Sequence, residues 1–198
     1  MIREIYTIPD DLYQEALDYA RASRAFTSNR HDFHPGGLSN KQQKMFEGKL
    51  GEKAFKIFLT DNNFDFEEDH SSPEERDEFD FKLCKSGLPR LLIDVKTRTK
   101  DFHIRTLEMV EQYSNHPKDI YISARWYEGT RNVQLIGWYT GIDMKTKNQI
   151  ENNGYLDNYV MYDRDLRSME SFLRELFIVK YKCRKLQTKN VGRCNYIL

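Results

Sequence analysis

Two acidic residues and a lysine on neighbouring stretches of the chain could together bind a divalent cation and act on a phosphate. Asp80 is followed, after thirteen residues, by Asp94-Val95-Lys96. Side chains at positions i and i+2 of a strand share one face, so Asp94 and Lys96 should project together. Carboxylate oxygens are the ligands that Mg²⁺ prefers. An ammonium group beside them can position or help deprotonate a water and stabilise developing phosphate charge.

A hairpin is expected to bring these residues together. The segment Lys85-Ser86-Gly87-Leu88-Pro89 predicts a turn between a short strand at Phe79–Leu83 and a strand at Arg90–Thr97. The turn would fold Asp80 back against Asp94. A solvated strand face is the simpler interpretation of Asp94 and Lys96. It is disfavoured because the apolar residues around them indicate a strand that is buried on both faces.

A third carboxylate comes from the preceding helix. Glu52 follows Gly51 and lies off the apolar stripe of that helix, which contains Phe46, Leu50, Ala54 and Ile57. Gly48 and Gly51 each cost a helix interior roughly 1 kcal/mol relative to alanine. The two glycines therefore suggest a close approach to this helix surface, from which Glu52 could reach the other acids.

The remaining pattern predicts an α/β fold with a mixed sheet. The expected elements are a helix at 9–24, a loop at 28–38, a helix from Ser39 or Asn40 to about Thr60, a strand at Phe64–Phe66, a helix at 104–114, a hairpin of Ile120–Tyr127 with Val133–Thr140, a strand at Tyr159–Tyr162 and a helix at 163–179.

On these residues the sequence resembles the PD-(D/E)XK nuclease superfamily, over about residues 45–125. Glu52 matches the acid on the first core helix, Asp80 the acid at a strand end, and Asp94 and Lys96 the D-x-K strand. Phe79 stands where the eponymous proline of the family would be. Glu78 competes with Asp80 for the first acidic position.

The resemblance implies a restriction-endonuclease-like core, a central mixed β-sheet flanked by helices. Glu52, Asp80, Asp94 and the carbonyl of Val95 would then bind Mg²⁺, with Mn²⁺ as a substitute. Lys96 would act on the attacking water, and Gln112 would assist near the site. We expect a single nuclease domain over 1–198, with its core at about 39–140 and with the N-terminal helix, the C-terminal helix and a basic tail at 180–198 as additions.

The implied activity is that of a metal-dependent endonuclease that hydrolyses DNA phosphodiester bonds, with duplex DNA as the first substrate. An RNA-directed or repair nuclease with the same chemistry is one alternative. A non-catalytic DNA-binding or structural module with the same fold is the other. Because small members of this family that cut duplexes commonly do so as dimers, the resemblance also implies a homodimer.

The charge distribution bears on how DNA would be held. The formal net charge is zero, but residues 61–80 hold ten acids against one base, and residues 180–193 hold six bases and no acid. This split fits a cation-binding region in a protein that meets a polyanion elsewhere. Two solvated charge runs are an equally good interpretation. The candidate phosphate-binding residues are Lys182, Arg184 and Lys185 in the tail, and Arg30, Lys41 and Lys44 before the Glu52 region.

Several other classes of site or location are disfavoured. No segment has the roughly 20 apolar residues of a membrane span, and the N-terminus carries no signal core. Three widely spaced cysteines (Cys84, Cys183 and Cys194) favour reduced thiols in a cytoplasm over a disulfide framework. The resemblance implies that this is the cytoplasm of a bacterial or phage-infected cell. His31 and His34 have metal-ligand spacing but no partner pair, so a loop with incidental histidines is the better interpretation.

Overall fold

The computed structural model describes residues 4–23, 38–70, 79–83, 90–152 and 156–176. Its strands are β1 (Glu4–Thr7), β2 (Phe66–Glu68), β3 (Phe81–Leu83), β4 (Leu91–Arg98), β5 (Arg105–Met109), β6 (Ile120–Trp126), β7 (Asn132–Thr140), β8 (Ile150–Asn152) and β9 (Asp157–Tyr162). Its helices are α1 (Asp10–Ala22), α2 (Leu38–Asp61), α3 (Val110–Asn115) and α4 (Gly141–Lys147), with a 3-10 turn at Asp163–Asp165 and helical residues at 169–176.

The strands form two sheets. The larger sheet has six strands in the order β1-β7-β6-β4-β3-β2, and the smaller has three in the order β5-β9-β8. Strands β4 and β6 run parallel at the centre of the larger sheet, while its other pairs are antiparallel. A parallel pair needs a crossover connection, which here contains β5 and α3. The predicted α/β architecture, a mixed central sheet flanked by helices, is confirmed.

Each face of the larger sheet covers its own apolar core. On one face α1, α2 and the 169–176 helix pack on the sheet through residues such as Leu50, Phe55 and Phe172. On the other face a smaller core surrounds Tyr121 and Tyr139, whose rings stack at 5.2 Å between centroids. Burial on both faces explains why the central strands read as nearly continuous apolar runs.

Most predicted elements are found with small shifts. Helix α1 begins one residue after Pro9, and α2 begins at Leu38, before the expected cap at Ser39 or Asn40. The antiparallel pairings of β3 with β4 and of β6 with β7 confirm both predicted hairpins. The strand expected at Phe64–Phe66 lies instead at Phe66–Glu68, where it pairs with β3. Strands β1 and β8 and helix α4 had not been predicted.

Two predicted helices are wrong in part. The segment expected as a helix at 104–114 is strand β5 followed by the short helix α3, because β5 pairs with the distant strand β9. In the segment expected as a helix at 163–179, Arg167 is extended and exchanges backbone hydrogen bonds with Trp138. Helical residues begin only at 169.

Several predictions fall outside the described residues. These are the loop and turn around 28–37 and 85–89, Arg30, His31, His34, the three cysteines and the basic tail with Lys182, Arg184 and Lys185. The single-domain organisation stays a prediction. Among the helices of the described ranges, none combines the length and apolar character needed to cross a membrane.

Candidate active site

Asp80 immediately precedes strand β3, at the end of the antiparallel pairing of β3 with β4. Its backbone N–H donates to Ile93 O at 3.0 Å, which extends the β3–β4 ladder by one residue. The next N–H of β4 on this side, that of Val95, donates to the Asp80 side chain instead of to a strand carbonyl, with a distance of 2.6 Å to Oδ2. A carboxylate that caps a strand N–H is held in one orientation. Asp80 is therefore fixed beside the middle of β4.

Strand β4 carries Asp94 and Lys96 on one face, as the sequence predicted. These two residues lie beside Tyr121 and Ser123 of β6 in the parallel register. Asp94 is buried, and Lys96 Nζ lies 2.9 Å from its Oδ2. The Lys96 side chain as a whole is 25% exposed. The D-x-K segment thus forms an ion pair at the surface of a central strand.

Glu108 is a fourth acid of the cluster, and sequence reasoning missed it. Strand β5 lies against β4 and β6, where Thr106 and Ser123 share a buried hydrogen bond of 2.7 Å. Two residues further along β5, Glu108 places Oε2 2.7 Å from Lys96 Nζ while its side chain is only 2% exposed. The alternation of Thr106 and Glu108 was the available signal, but the segment had been interpreted as a helix.

Helix α2 brings Glu52 to the cluster from the opposite face of the sheet. Glu52 is buried and its Oε2 lies 2.7 Å from the ammonium of Lys49, one turn earlier. Lys49 Nζ also lies 4.3 Å above the ring of Tyr19 on α1. Lys49 had not been predicted as part of the site. Its spacing from Glu52, three residues on one helix, was the signal that could have found it.

The glycine prediction holds at one position of the two. A Cβ added at Gly51 would lie 1.9 Å from Thr97 Oγ1, so only glycine lets α2 approach β4 this closely. A Cβ at Gly48 would meet nothing within 4 Å. Gly51 therefore sets the distance between the helix that carries Glu52 and the strand that carries Asp94 and Lys96.

The electrostatics of the cluster show that the acids repel one another. Burial raises the pKa of Asp80 well above its ordinary value, and the charges of Glu52 and Asp94 raise it further; Lys49 and the Val95 N–H offset only part of this. Burial likewise raises the pKa of Glu108, with Lys96 opposing. Such perturbation of grouped carboxyl groups is typical of functional sites.

The pKa values of the two lysines in the cluster are also raised, which for a lysine stabilises the charged form. Burial acts to lower the pKa of Lys49, but Glu52 and Asp80 outweigh it and raise the pKa above its ordinary value. For Lys96, Asp94 and Glu108 outweigh burial in the same way. Both lysines are therefore ammonium ions at neutral pH, and they partly neutralise the acids.

The cluster suits a divalent cation by donor chemistry. Its acids offer hard carboxylate oxygens, and Asp94 Oδ2 is buried without a hydrogen-bond donor although it faces Lys96 as an ion pair. Across the described ranges, however, no three His, Cys, Asp or Glu side chains are grouped closely enough to enclose a metal ion as they stand. The site as built is an acidic cluster bridged by lysines. An ion that keeps several of its waters, as Mg²⁺ does, needs fewer direct protein ligands than a closed cage supplies.

For the other predicted site residues, the structure gives a position but no contact with the cluster. Gln112 lies half-buried on α3, and within the described part of the chain no hydrogen bond joins its amide to the cluster. Lys41 is half-buried and Lys44 exposed, both on the first turns of α2. The predicted roles of these residues stay predictions.

Comparison with known proteins gives no relative to which these residues can be matched. The chain matches no family model, no curated protein and no solved structure significantly. The site is therefore interpreted from its own geometry and chemistry.

Proposed function

We propose that this protein is a metal-dependent nuclease that hydrolyses DNA phosphodiester bonds, with duplex DNA as its first substrate and a restriction-endonuclease-like arrangement of its core. One observation carries the proposal. Asp80 accepts a hydrogen bond from Val95, which lies between Asp94 and Lys96 on β4, and the charges of Glu52 and Asp94 both act on the Asp80 carboxyl group. Hard oxygen ligands beside a fixed ammonium group are what in-line attack of water on a phosphodiester requires.

In the proposed reaction, the residues of the cluster have separate roles. Glu52, Asp80, Asp94 and the Val95 carbonyl would hold Mg²⁺, with Mn²⁺ as a substitute. A divalent cation bound there would supply Lewis-acid stabilisation of the phosphate and would lower the pKa of a bound water. Lys96 would hold the attacking water and balance charge on the phosphate, since it stays protonated at neutral pH. Glu108, whose own side chain is buried, would hold the Lys96 ammonium group in place through their ion pair.

The test is cleavage by purified protein of supercoiled plasmid, linear duplex and single-stranded DNA, with Mg²⁺ and with EDTA. Asp94→Asn and Lys96→Met should each lower the cleavage rate by at least about 10²-fold, because each removes one charged group of the reaction centre. Wild-type rates in either variant, or equal rates in EDTA, would overturn the proposal.

A matched control is available on β2. Glu68 is a carboxylate whose side chain is 7% exposed and ion-paired to Lys53 at 2.7 Å, but it lies outside the cluster. Glu68→Gln also removes a buried, lysine-paired charge. It should leave the cleavage rate of the folded protein unchanged. Circular dichroism on all three variants separates loss of chemistry from loss of fold.

A non-catalytic DNA-binding or structural module is the second candidate. The observation that favours it is that Lys49 and Lys96 already pair with Glu52, Asp94 and Glu108, which would make the cluster a polar part of the fold. This candidate expects DNA binding, or none, that is indifferent to divalent ions, and no cleavage of DNA or RNA by the wild-type protein. Including a structured RNA among the substrates tests the RNA-directed alternative in the same assay.

A further inference from the structure

The connection between β4 and β5, residues 99–104, presents an aromatic ring to solvent. The side chain of Phe102 is in neither apolar core, and the residue is 76% exposed. The backbone around it is held from β6, because Nη2 of Arg125 donates to the carbonyls of Asp101 and His103, at 3.4 and 3.3 Å. These two residues flank Phe102. The ring therefore has a fixed place on the surface.

A single exposed apolar side chain needs no explanation in itself, but this one is not alone. Ile104, two residues later, is 55% exposed. The rings of Phe102 and His103 contact each other edge to face, with 4.5 Å between their centroids. The 99–104 loop thus carries two neighbouring rings and an aliphatic side chain at the surface.

The electrostatic surroundings of the 99–104 loop are positive. The pKa of His103 is lowered, first by its partial burial and then by four neighbouring cations, which are Arg98, Lys44, Arg105 and Lys100. Two acids lie nearby, since Glu128 pairs with Lys100 at 2.9 Å and Asp101 faces Arg125 at 4.0 Å. The largest charge effects on the imidazole are nevertheless those of the cations. A surface of this sign attracts a polyanion, although the whole protein has zero net charge.

The 99–104 loop also has a definite relation to the candidate active site. It joins the two strands that carry Lys96 and Glu108, whose ion pair of 2.7 Å belongs to that site. Phe102 is six residues from each of them. Six residues of extended chain span at most about 20 Å, which is the rise of about six base pairs. A nucleic-acid strand bound at the site can therefore reach Phe102 within a few nucleotides.

We propose that the 99–104 loop is a nucleic-acid contact, in which the ring of Phe102 stacks on a base that is not stacked in a duplex. An exposed ring in positive surroundings suits such a strand, because cations attract the backbone and every base has a face on which a ring can stack. A protein partner would be held by apolar area and would not require the positive surroundings. The inference rests on the proposed function for the class of its ligand, but stacking needs neither a metal ion nor cleavage.

The test is binding of a short single-stranded DNA in EDTA, followed by fluorescence anisotropy, beside a fully abasic strand of the same length. Phe102→Ala should bind the base-containing strand about fivefold or more weakly than wild type, and the abasic strand equally well. The slope of log affinity against log salt should not change, because the ring carries no charge. Ile5→Ala is the matched control, since Ile5 is 55% exposed on β1, which β7 and β6 separate from β4. It should bind both strands as wild type does.

A second variant reports stacking directly. Trp126 and Trp138 are only 4% and 3% exposed, so the indole ring introduced by Phe102→Trp should be the fluorophore that a bound strand can reach. Its emission should be quenched by the base-containing strand and not by the abasic strand. Circular dichroism on each variant confirms that the fold is retained.

Several results would overturn the inference. These are wild-type affinity of a folded Phe102→Ala for the base-containing strand, an equal loss on the abasic strand, absence of quenching in Phe102→Trp, or no binding of either strand by the wild-type protein. If Phe102→Ala binds DNA normally but sediments as a smaller species than wild type, the ring belongs to a contact between two copies of the chain. Cleavage in Mg²⁺ is measured separately. Cleavage with any of these results leaves the proposed function intact, whereas binding through Phe102 without cleavage supports the inference and overturns the function.

Discussion

Asp80 is the residue at which the proposed function and the stability of the fold oppose each other most clearly. Its carboxylate is useful to the fold as an acceptor for the Val95 N–H, at 2.6 Å. Its negative charge is unfavourable, because burial, Glu52 and Asp94 all raise its pKa. A carboxyl group that is placed where burial and like charges disfavour its ionised form needs a reason outside the fold. The proposed cation-binding role would supply that reason.

The first residue-scale prediction is that Asp80→Asn stabilises the metal-free protein. Asparagine keeps an oxygen for the Val95 N–H but removes the repelling charge. Each unit by which the pKa of Asp80 is raised corresponds to about 1.4 kcal/mol of unfolding free energy, and each kcal/mol to a shift in Tm of about 2–4 °C in a protein of this size. In EDTA at pH 7 the Tm of Asp80→Asn should therefore exceed that of wild type by a few degrees. Mg²⁺ should raise the Tm of the wild-type protein and leave that of the variant unchanged.

The pH dependence of this difference has a definite sign. Since the pKa of Asp80 is higher in the folded than in the unfolded state, the folded protein binds more protons between the two values. The wild-type protein therefore loses stability relative to Asp80→Asn as pH rises from about 4 to the folded pKa, and the difference is constant above it. Asp65→Asn, at an exposed position between α2 and β2, is the matched control for the loss of one aspartate. A difference between wild type and Asp80→Asn that shrinks as pH rises would contradict the prediction.

The site residues that could be predicted are those whose positions depend on nearby sequence, such as strand alternation or a single hairpin. Asp94 and Lys96 share a strand face by simple alternation, and Asp80 follows from one hairpin. Glu108 could not be placed, because strand β5 exists through its pairing with β9, about fifty residues later in the sequence. Lys49 was passed over because a lysine near an acid on a helix usually forms a solvated surface pair. The Lys49–Glu52 pair differs from such a surface pair because the ring of Tyr19, on helix α1, covers the Lys49 ammonium group.

At the scale of elements, the site depends on how closely α2 packs on β4. Thr97 fills the space beside Gly51, and its hydroxyl donates a long hydrogen bond of 3.4 Å to the carbonyl of Gly48. Both glycines are interior to a helix of 24 residues, where glycine is unfavourable. The sequence predicted a close approach at both. The structure shows it only at Gly51, since the surface next to Gly48 is open.

The two glycines therefore make a matched pair for mutation. Gly51→Ala should destabilise the protein by about 1–3 kcal/mol, because the new methyl group overlaps the β-branched side chain of Thr97 and forces α2 outward. Gly48→Ala meets no neighbour and should stabilise the helix by roughly 0.5–1 kcal/mol. Chemical denaturation measures both values. DNA cleavage by Gly51→Ala should also fall, since displacement of α2 carries Glu52 and Lys49 away from β4. Equal effects of the two substitutions would show that the α2–β4 distance is not set by Gly51.

At the scale of the whole molecule, the sheet separates two apolar cores and leaves the site at a junction between them. Asp94 and Lys96 lie on the face of Tyr121, while Glu52 comes from the helix layer on the other face. The overall α/β class could be predicted from the sequence because alternation and helical periodicity are local. The small sheet of β5, β9 and β8 could not, since its short strands are defined by partners distant in sequence.

Zero net charge has a consequence for how the molecule would bind DNA. The protein as a whole does not attract a polyanion, so binding must depend on local basic residues. Lys44 is exposed on α2, eight residues before Glu52, which corresponds to about 12 Å along a helix. That distance would let a backbone phosphate meet Lys44 while a neighbouring one lies at the site. The basic tail is the alternative location.

The last prediction separates these two locations by salt dependence. Each lysine or arginine that neutralises a phosphate contributes about 0.9 to the slope of log affinity against log salt concentration. If the tail holds DNA, replacing Lys182, Arg184 and Lys185 by glutamine should weaken binding in Ca²⁺ and flatten the slope by about 2–3 units, with the cleavage rate of bound DNA in Mg²⁺ unchanged. Replacing Lys41 and Lys44 by glutamine is the parallel experiment for the start of α2. We expect the tail variant to show the larger change. An unaltered slope in the tail variant, together with a flattened slope in the Lys41 and Lys44 variant, would place the DNA-binding surface at the start of α2, the helix that also carries Lys49 and Glu52.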